Sequence, residues 1–205
     1  MKTITVDNRT LTPSKIICIG RNYVEHIAEL GNEVPDEMVV FNKPNSAIST
    51  ELFSYHQEQL HYEGELCFLI ENGQISAVGF GLDITKRALQ SKLKSKGLPW
   101  ERAKAFNAAA VFSDFISINQ DDINETLSLE LSINDEITQA GGVELMMYKP
   151  ADILPELKTY TELNDGDIIM TGTPKGVGLI VSGARFKGRI LSGNKEIVST
   201  CWTAI

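Results

Sequence analysis

The sequence has few cysteines, fewer basic than acidic residues and no long apolar run, and each shortage removes a class of protein. Cys18, Cys67 and Cys201 are odd in number and widely separated, which suits neither a disulfide framework nor a zinc site. They are expected to be buried free thiols, and no neighbouring residue type would make a catalytic thiolate of any of them. Lys and Arg total 19 against 27 Asp and Glu, for a formal net charge of -8. Without a basic cluster, a phosphate backbone would meet mostly repulsion, so no nucleic-acid partner is expected. The apolar runs are far shorter than the roughly 20 residues that cross a bilayer, and the first ten residues, MKTITVDNRT, hold no hydrophobic signal region. A cytoplasmic protein with no membrane partner is the expectation. No linker, low-complexity tract or repeat divides the chain, so residues 1–205 are expected to form one domain, with 1–15 as a small N-terminal arm.

What is present is an ordinary globular composition, 42% hydrophobic, sufficient for a core. Apolar, β-branched stretches at 15–19, 38–41, 65–70, 111–118, 127–133 and 167–170 have strand length and turn-forming neighbours. Helical signals are fewer. They fall at 23–30, at 85–96 between a Thr85 cap and Gly97, and near 152–160, where Pro155 fits only in the first turn. Helices do not alternate with strands, so a β-rich α+β fold is expected rather than a doubly wound parallel sheet.

Five stretches carry candidate chemistry. In Tyr62-Glu63-Gly64-Glu65-Leu66, strand alternation points Glu63 and Glu65 the same way. Two adjacent carboxylates repel unless a hard divalent cation neutralises them; the plainer alternative is an edge strand with a solvated face. Asp83 follows the glycine-spaced stretch 78–82 at a strand-to-helix junction, which suits a site at the rim of a scaffold or simply a helix N-cap. His26 and Glu29 are spaced i, i+3 on one helix face, a base with a carboxylate to orient it, or an ordinary surface pair. Residues 171–178, Thr-Gly-Thr-Pro-Lys-Gly-Val-Gly, offer a hydroxyl and backbone N–H groups to an anion without P-loop spacing. Lys104 lies in a small-residue, aromatic context, where a lone lysine is more often surface than catalytic.

In order along the chain stand Gly20-Arg21-Asn22-Tyr23 with His26 and Glu29, Asn42-Lys43-Pro44, the 62–66 stretch, Leu82-Asp83-Ile84-Thr85 with Arg87 and Gln90, Lys96-Gly97-Leu98-Pro99-Trp100, Ala103-Lys104, Asn134 with Gln139, and residues 166–178. Together they resemble the short single-domain branch of the fumarylacetoacetate hydrolase family, which includes acylpyruvases and oxaloacetate decarboxylases. The resemblance implies a mixed β-sandwich roll, assembled as a homodimer, with Mg²⁺ (Mn²⁺ or Ca²⁺ as substitutes) held by Glu63, Glu65 and Asp83. It implies a small 2-oxo acid as substrate, chelating the cation through two hard oxygens. His26 and Glu29 would be the catalytic base and its orienting carboxylate, on a helix resembling the family's mobile lid. Lys104 would join them as a catalytic group and, with Thr173, hold substrate oxygens, with Arg21, Lys43 and Gln90 in the same pocket. The sequence departs from the family at Ala88, Ala105, the 146–149 stretch Met-Met-Tyr-Lys and residues 179–189, which leaves the distal pocket open.

The first functional expectation is an acylpyruvase-like hydrolase that cleaves a C–C bond. The same residues suit an oxaloacetate decarboxylase or a tautomerase or isomerase of a related oxo-diacid. A non-catalytic metal- or carboxylate-binding module is the reading from a different class.

Overall fold

The computed structural model describes residues 1–29, 31, 33–119, 123 and 126–205. In chain order the strands are β1 (Ile4–Val6), β2 (Arg9–Leu11), β3 (Lys15–Gly20), β4 (Val39–Pro44), β5 (Ile48–Ser49), β6 (His61–Tyr62), β7 (Gly64–Glu71) and β8 (Gln74–Asp83), followed by β9 (Ala110–Phe112), β10 (Ile116–Ser117), β11 (Leu127–Ile133), β12 (Glu136–Gly142), β13 (Ile168–Met170), β14 (Gly178–Leu179), β15 (Arg185–Ser192) and β16 (Lys195–Thr203). Helices α1 (Val24–Glu29), α2 (Arg87–Lys94), α3 (Glu101–Lys104) and α4 (Pro150–Lys158) are short. The expected β-rich α+β architecture, a mixed β-sandwich roll, is what forms.

Three hairpins close on adjacent residues with positive φ: Asp7 and Asn8, Asn72 and Gly73, Asn134 and Asp135. Asn, Asp and Gly tolerate that geometry, which matches the twist of the flanking strands. The main sheet runs β4-β3-β13-β7-β8-β9-β5, with β10 also paired to β8. Strand β13 is parallel to β3 and antiparallel to β7. A second sheet, β12-β11-β15-β16, is antiparallel.

Strand β7 is interior, so both of its faces are buried. Leu66, Phe68 and Ile70 point into the larger core, shared with Leu129, Leu131, Phe186 and Ile190 of the second sheet. Cys67 and Leu69 point the other way, into a smaller cluster with Val6, Cys18, Phe115 and Met170. Glu63 and Glu65 continue this second line by alternation. On β8 the matching line is Ala77, Gly79, Gly81 and then Asp83, with Glu65 opposite Gly81. A Cβ on Gly81 would stand 2.5 Å from the Cys67 sulfur and 2.9 Å from Phe112. Only a glycine lets the strand ends that carry the carboxylates close on that packing.

The structure differs locally from the sequence expectations. Residues 111–118 are two strands, because the Ser113 hydroxyl accepts the Phe80 N–H at 2.9 Å and interrupts the ladder between β9 and β10. Thr85 does not cap α2: its backbone pairs with His61, and the helix N-terminus is served from a distance by Glu58, whose Oε1 accepts the N–H groups of Ala88 and Leu89. Pro155 lies inside α4, because Pro150 already occupies the first turn and the helix is set by its buried residues Ile153 and Leu157. Cys18 and Cys67 are buried as expected, but Cys201 is exposed on β16. Leu30, the end of the first expected helix, lies outside the described residues. No helix of the described residues is long and apolar enough to cross a membrane.

Candidate active site

Glu63, Glu65 and Asp83 converge where β7 and β8 meet, with one oxygen of each within 4.8 Å of the others. They are 6%, 2% and 1% exposed, so the solvated edge-strand reading fails. Asp83 ends β8 and is no helix cap, since the helix it precedes starts only at Arg87. The triad opens on a narrow cleft also lined by Arg21, His26, Gln90, Lys104 and Thr173.

Lys104, expected to be a surface residue when read alone, is 2% exposed. Its ammonium donates to Glu63 Oε2 at 2.9 Å, Asp83 Oδ2 at 2.7 Å and the Thr85 hydroxyl at 2.6 Å, which uses all three of its protons. Burial pulls the ammonium's pKa down, but Asp83 and Glu63 outweigh it and hold it above its ordinary value. For Glu63, burial pushes the pKa up while Lys104, Arg87 and His26 pull harder, leaving the carboxyl far below the usual range. Glu63 also forms an ion pair with Arg87.

Glu65 is the exception. Burial, Asp83 and Glu63 all push its pKa well above the carboxylate range, against the Gly172 N–H that donates to it at 2.8 Å. Among the described residues it has no ion pair. Asp83 Oδ1 has a charge partner, Lys43 Nζ at 2.7 Å, but no donor in hydrogen-bonding direction. A buried carboxyl with no ion pair of its own, its pKa pushed up by burial and two neighbouring carboxylates at the head of a cleft, is the environment a hard, oxygen-seeking cation satisfies. The donor set therefore fits a divalent metal.

His26 is buried and lines the cleft; its Nδ1 lies 3.1 Å from Glu29 Oε2. Glu29 stands outside the cleft and is itself fixed by the Gly176 N–H, which donates to Oε1 at 3.0 Å. Gly176 has φ +101, and a Cβ there would fall 2.0 Å from the Thr138 carbonyl, so glycine is required at this contact. Lys43 does not reach the cleft: it lies fully buried behind Asp83 and donates to the Lys104 carbonyl. Thr173 lines the cleft, but its hydroxyl donates to the Gly64 carbonyl and accepts from Gln139, each at 2.8 Å. Residue-level reasoning gave no role to Arg87 or Gln139, although both stood within the motifs quoted above. Their partners Glu63 and Thr173 are 24 and 34 residues away in sequence, so no local pattern marks them. The Gly172 N–H, one of the 171–178 donors read as binding an anion, takes the Glu65 carboxylate, 107 residues away.

Fold and site together define a class, an enzyme built on a mixed β-roll whose buried carboxylate triad is able to hold a divalent cation. The chain belongs to the fumarylacetoacetate hydrolase family: residues 15–201 match the family model described as fumarylacetoacetate (FAA) hydrolase C-terminal. It is 37% identical over 188 residues to the oxaloacetate tautomerase YcgM of Escherichia coli, covering 83% of this chain and 85% of that protein. To the mitochondrial oxaloacetate tautomerase oaa1 of Schizosaccharomyces pombe it is 34% identical, with 89% and 90% covered. Among solved structures, fumarylpyruvate hydrolase from Pseudomonas aeruginosa in complex with Mn²⁺ and pyruvate superimposes with a TM-score of 0.88 at 28% identity, covering 100% and 95% of the two chains.

Proposed function

We propose that this chain interconverts the keto and enol forms of a small 2-oxo diacid of the oxaloacetate type, with a divalent cation held by Glu63, Glu65 and Asp83. The observation that carries the reading is the convergence of that buried triad with His26 and Lys104 on one cleft. The two tautomerase relatives favour proton transfer over the hydrolysis expected first. The reading includes Mg²⁺ as the cation and a homodimer as the assembly.

When bound, the cation supplies a Lewis acid for the two hard oxygens of a 2-oxo carboxylate. With Nδ1 engaged by Glu29, the other ring nitrogen of His26 is the one that takes the proton from the carbon next to the carbonyl. Lys104, on giving up one of its carboxylate contacts, donates a hydrogen bond to the oxygen where negative charge develops. That oxygen then takes a proton from solvent to complete the enol, while His26 returns the carbon proton to solvent, so the proton count balances. Arg21 and Gln90 line the cleft and hold the substrate from its walls. Thr173, its proton committed to Gly64, acts mainly by setting the 172–174 loop.

A hydrolase is the second reading, favoured by the fumarylpyruvate hydrolase likeness and by a dyad equally able to activate water. The deciding measurement follows loss of the enol absorbance of oxaloacetate with and without Mg²⁺, beside pyruvate release from oxaloacetate, acetylpyruvate and fumarylpyruvate. Cation-dependent enol conversion faster than any cleavage supports the tautomerase. Faster cleavage returns the hydrolase or lyase, and no acceleration of any of these with Mg²⁺ or Mn²⁺ overturns both.

A further inference from the structure

Helix α2 presents Arg87, Gln90 and Lys94 at i, i+3 and i+7, and all three line the cleft. Arg87 is turned inward to Glu63, and Lys94 lies two helical turns further along. The cleft is also lined by two aromatic rings, Phe41 and Trp100, which pack with ring centroids 5.9 Å apart. Each ring has an ammonium over it. Lys104 lies 5.4 Å from the Phe41 centroid, at the carboxylate end, and Lys94 lies 5.6 Å from the Trp100 centroid. The two rings thus separate an inner from an outer cation along one cleft.

We propose that Lys94 is a specificity-determining residue that binds the second carboxylate of the substrate, so that the cleft selects 2-oxo diacids over 2-oxo monoacids. The inference rests on the 2-oxo acid reading of the cleft given above. Its electrostatics agree: burial lowers the Lys94 pKa, and the neighbouring Arg21 and Arg87 lower it further. Cations that repel one another before a ligand arrives are stabilised by an anion placed among them. The stack on Trp100 holds the long side chain in one place, which limits the ordering cost of the contact. A monoacid filling the triad end would make no contact with this outer cation, whereas a diacid engages both ends.

The test is calorimetric binding of pyruvate and of oxaloacetate to the Mg²⁺-loaded full chain, for wild type, Lys94→Met, Lys94→Arg and Lys92→Met. Wild type should bind oxaloacetate more tightly than pyruvate. Lys94→Met should weaken oxaloacetate roughly 10-fold or more, the scale of a charge-assisted carboxylate contact, and leave pyruvate unchanged. Lys94→Arg should retain most of the preference. Lys92→Met, which removes the same charge from an exposed position of α2, should alter neither ligand. Unchanged oxaloacetate affinity in Lys94→Met, or equal weakening of both ligands, overturns the assignment. If wild type binds neither acid, the functional reading falls as well, an outcome distinct from a loss confined to the Lys94 variant.

Discussion

At the scale of single residues, two side chains illustrate how a contact decides a role. His26 and Glu29 stand 3.1 Å apart and neither touches the carboxylate triad through a hydrogen bond. His26→Ala and Glu29→Gln should therefore each lower turnover by about 10²- to 10⁴-fold, the range of a positioned general base, with cation affinity unchanged. The double variant should be little worse than His26→Ala, because members of one catalytic unit are not additive; steady-state kinetics with parallel metal titration checks both points. Thr173 is the contrasting case. Its hydroxyl closes a buried circuit from Gly64 to Gln139, so Thr173→Val leaves a buried carbonyl without its donor. A stability loss of about 1–3 kcal/mol in chemical denaturation is expected alongside any rise in KM. A variant of unchanged stability would free the hydroxyl for substrate after all.

At the scale of elements, the Asp167 side chain ties two segments, residues 14–15 and Asn164, to the start of β13. Its carboxylate accepts from the Ser14 hydroxyl at 2.6 Å, the Lys15 and Asn164 N–H groups at 3.1 and 2.9 Å, and the Lys15 ammonium at 2.7 Å. It is 0% exposed. Burial pushes its pKa up, yet Lys15, Ser14 and the Asn164 N–H prevail and hold it below the ordinary 3.8. The sign follows. A carboxyl with a depressed folded-state pKa contributes stability that is present above its unfolded value and lost as the pH falls through the folded one. Asp167→Asn should destabilise the protein at neutral pH by about 3–5 kcal/mol, the cost of breaking a buried charged contact. The difference from wild type should shrink below about pH 4, as seen in thermal melts across pH.

At the scale of the whole molecule, a triad without a bound cation gathers three carboxyl groups in the interior of the fold. In Glu65, buried with no ion pair among the described residues, that crowding disfavours the charged form. A cation that binds the folded chain and not the unfolded one stabilises it by mass action, about 2.7 kcal/mol at a hundred times its dissociation constant. Mg²⁺ should accordingly raise the melting temperature and chelation should reverse the rise. In Glu65→Gln the response should be largely lost while the metal-free protein melts no lower than wild type, because the substitution removes the charge that burial disfavours. A full Mg²⁺ response in Glu65→Gln would remove this residue from the site.

Much of this was legible in the sequence, for local reasons. Alternation alone places Glu63 and Glu65 on one face, helical spacing alone brings His26 to Glu29, and the β-branched runs with their Asn, Asp and Gly turns specify a β-rich chain. The order of short motifs along the chain was enough to reach the family. Contacts across long stretches of chain were not legible, because pairing depends on which strands become neighbours. Only the tertiary structure buried Lys104 between Glu63 and Asp83, set Lys43 behind the triad, handed the cap of α2 to Glu58 and committed the Thr173 proton to Gly64. Residue type and spacing determined which groups could carry chemistry. Packing decided which of those groups face the cleft and which are spent holding it, because each buried donor must find its acceptor wherever the fold places one.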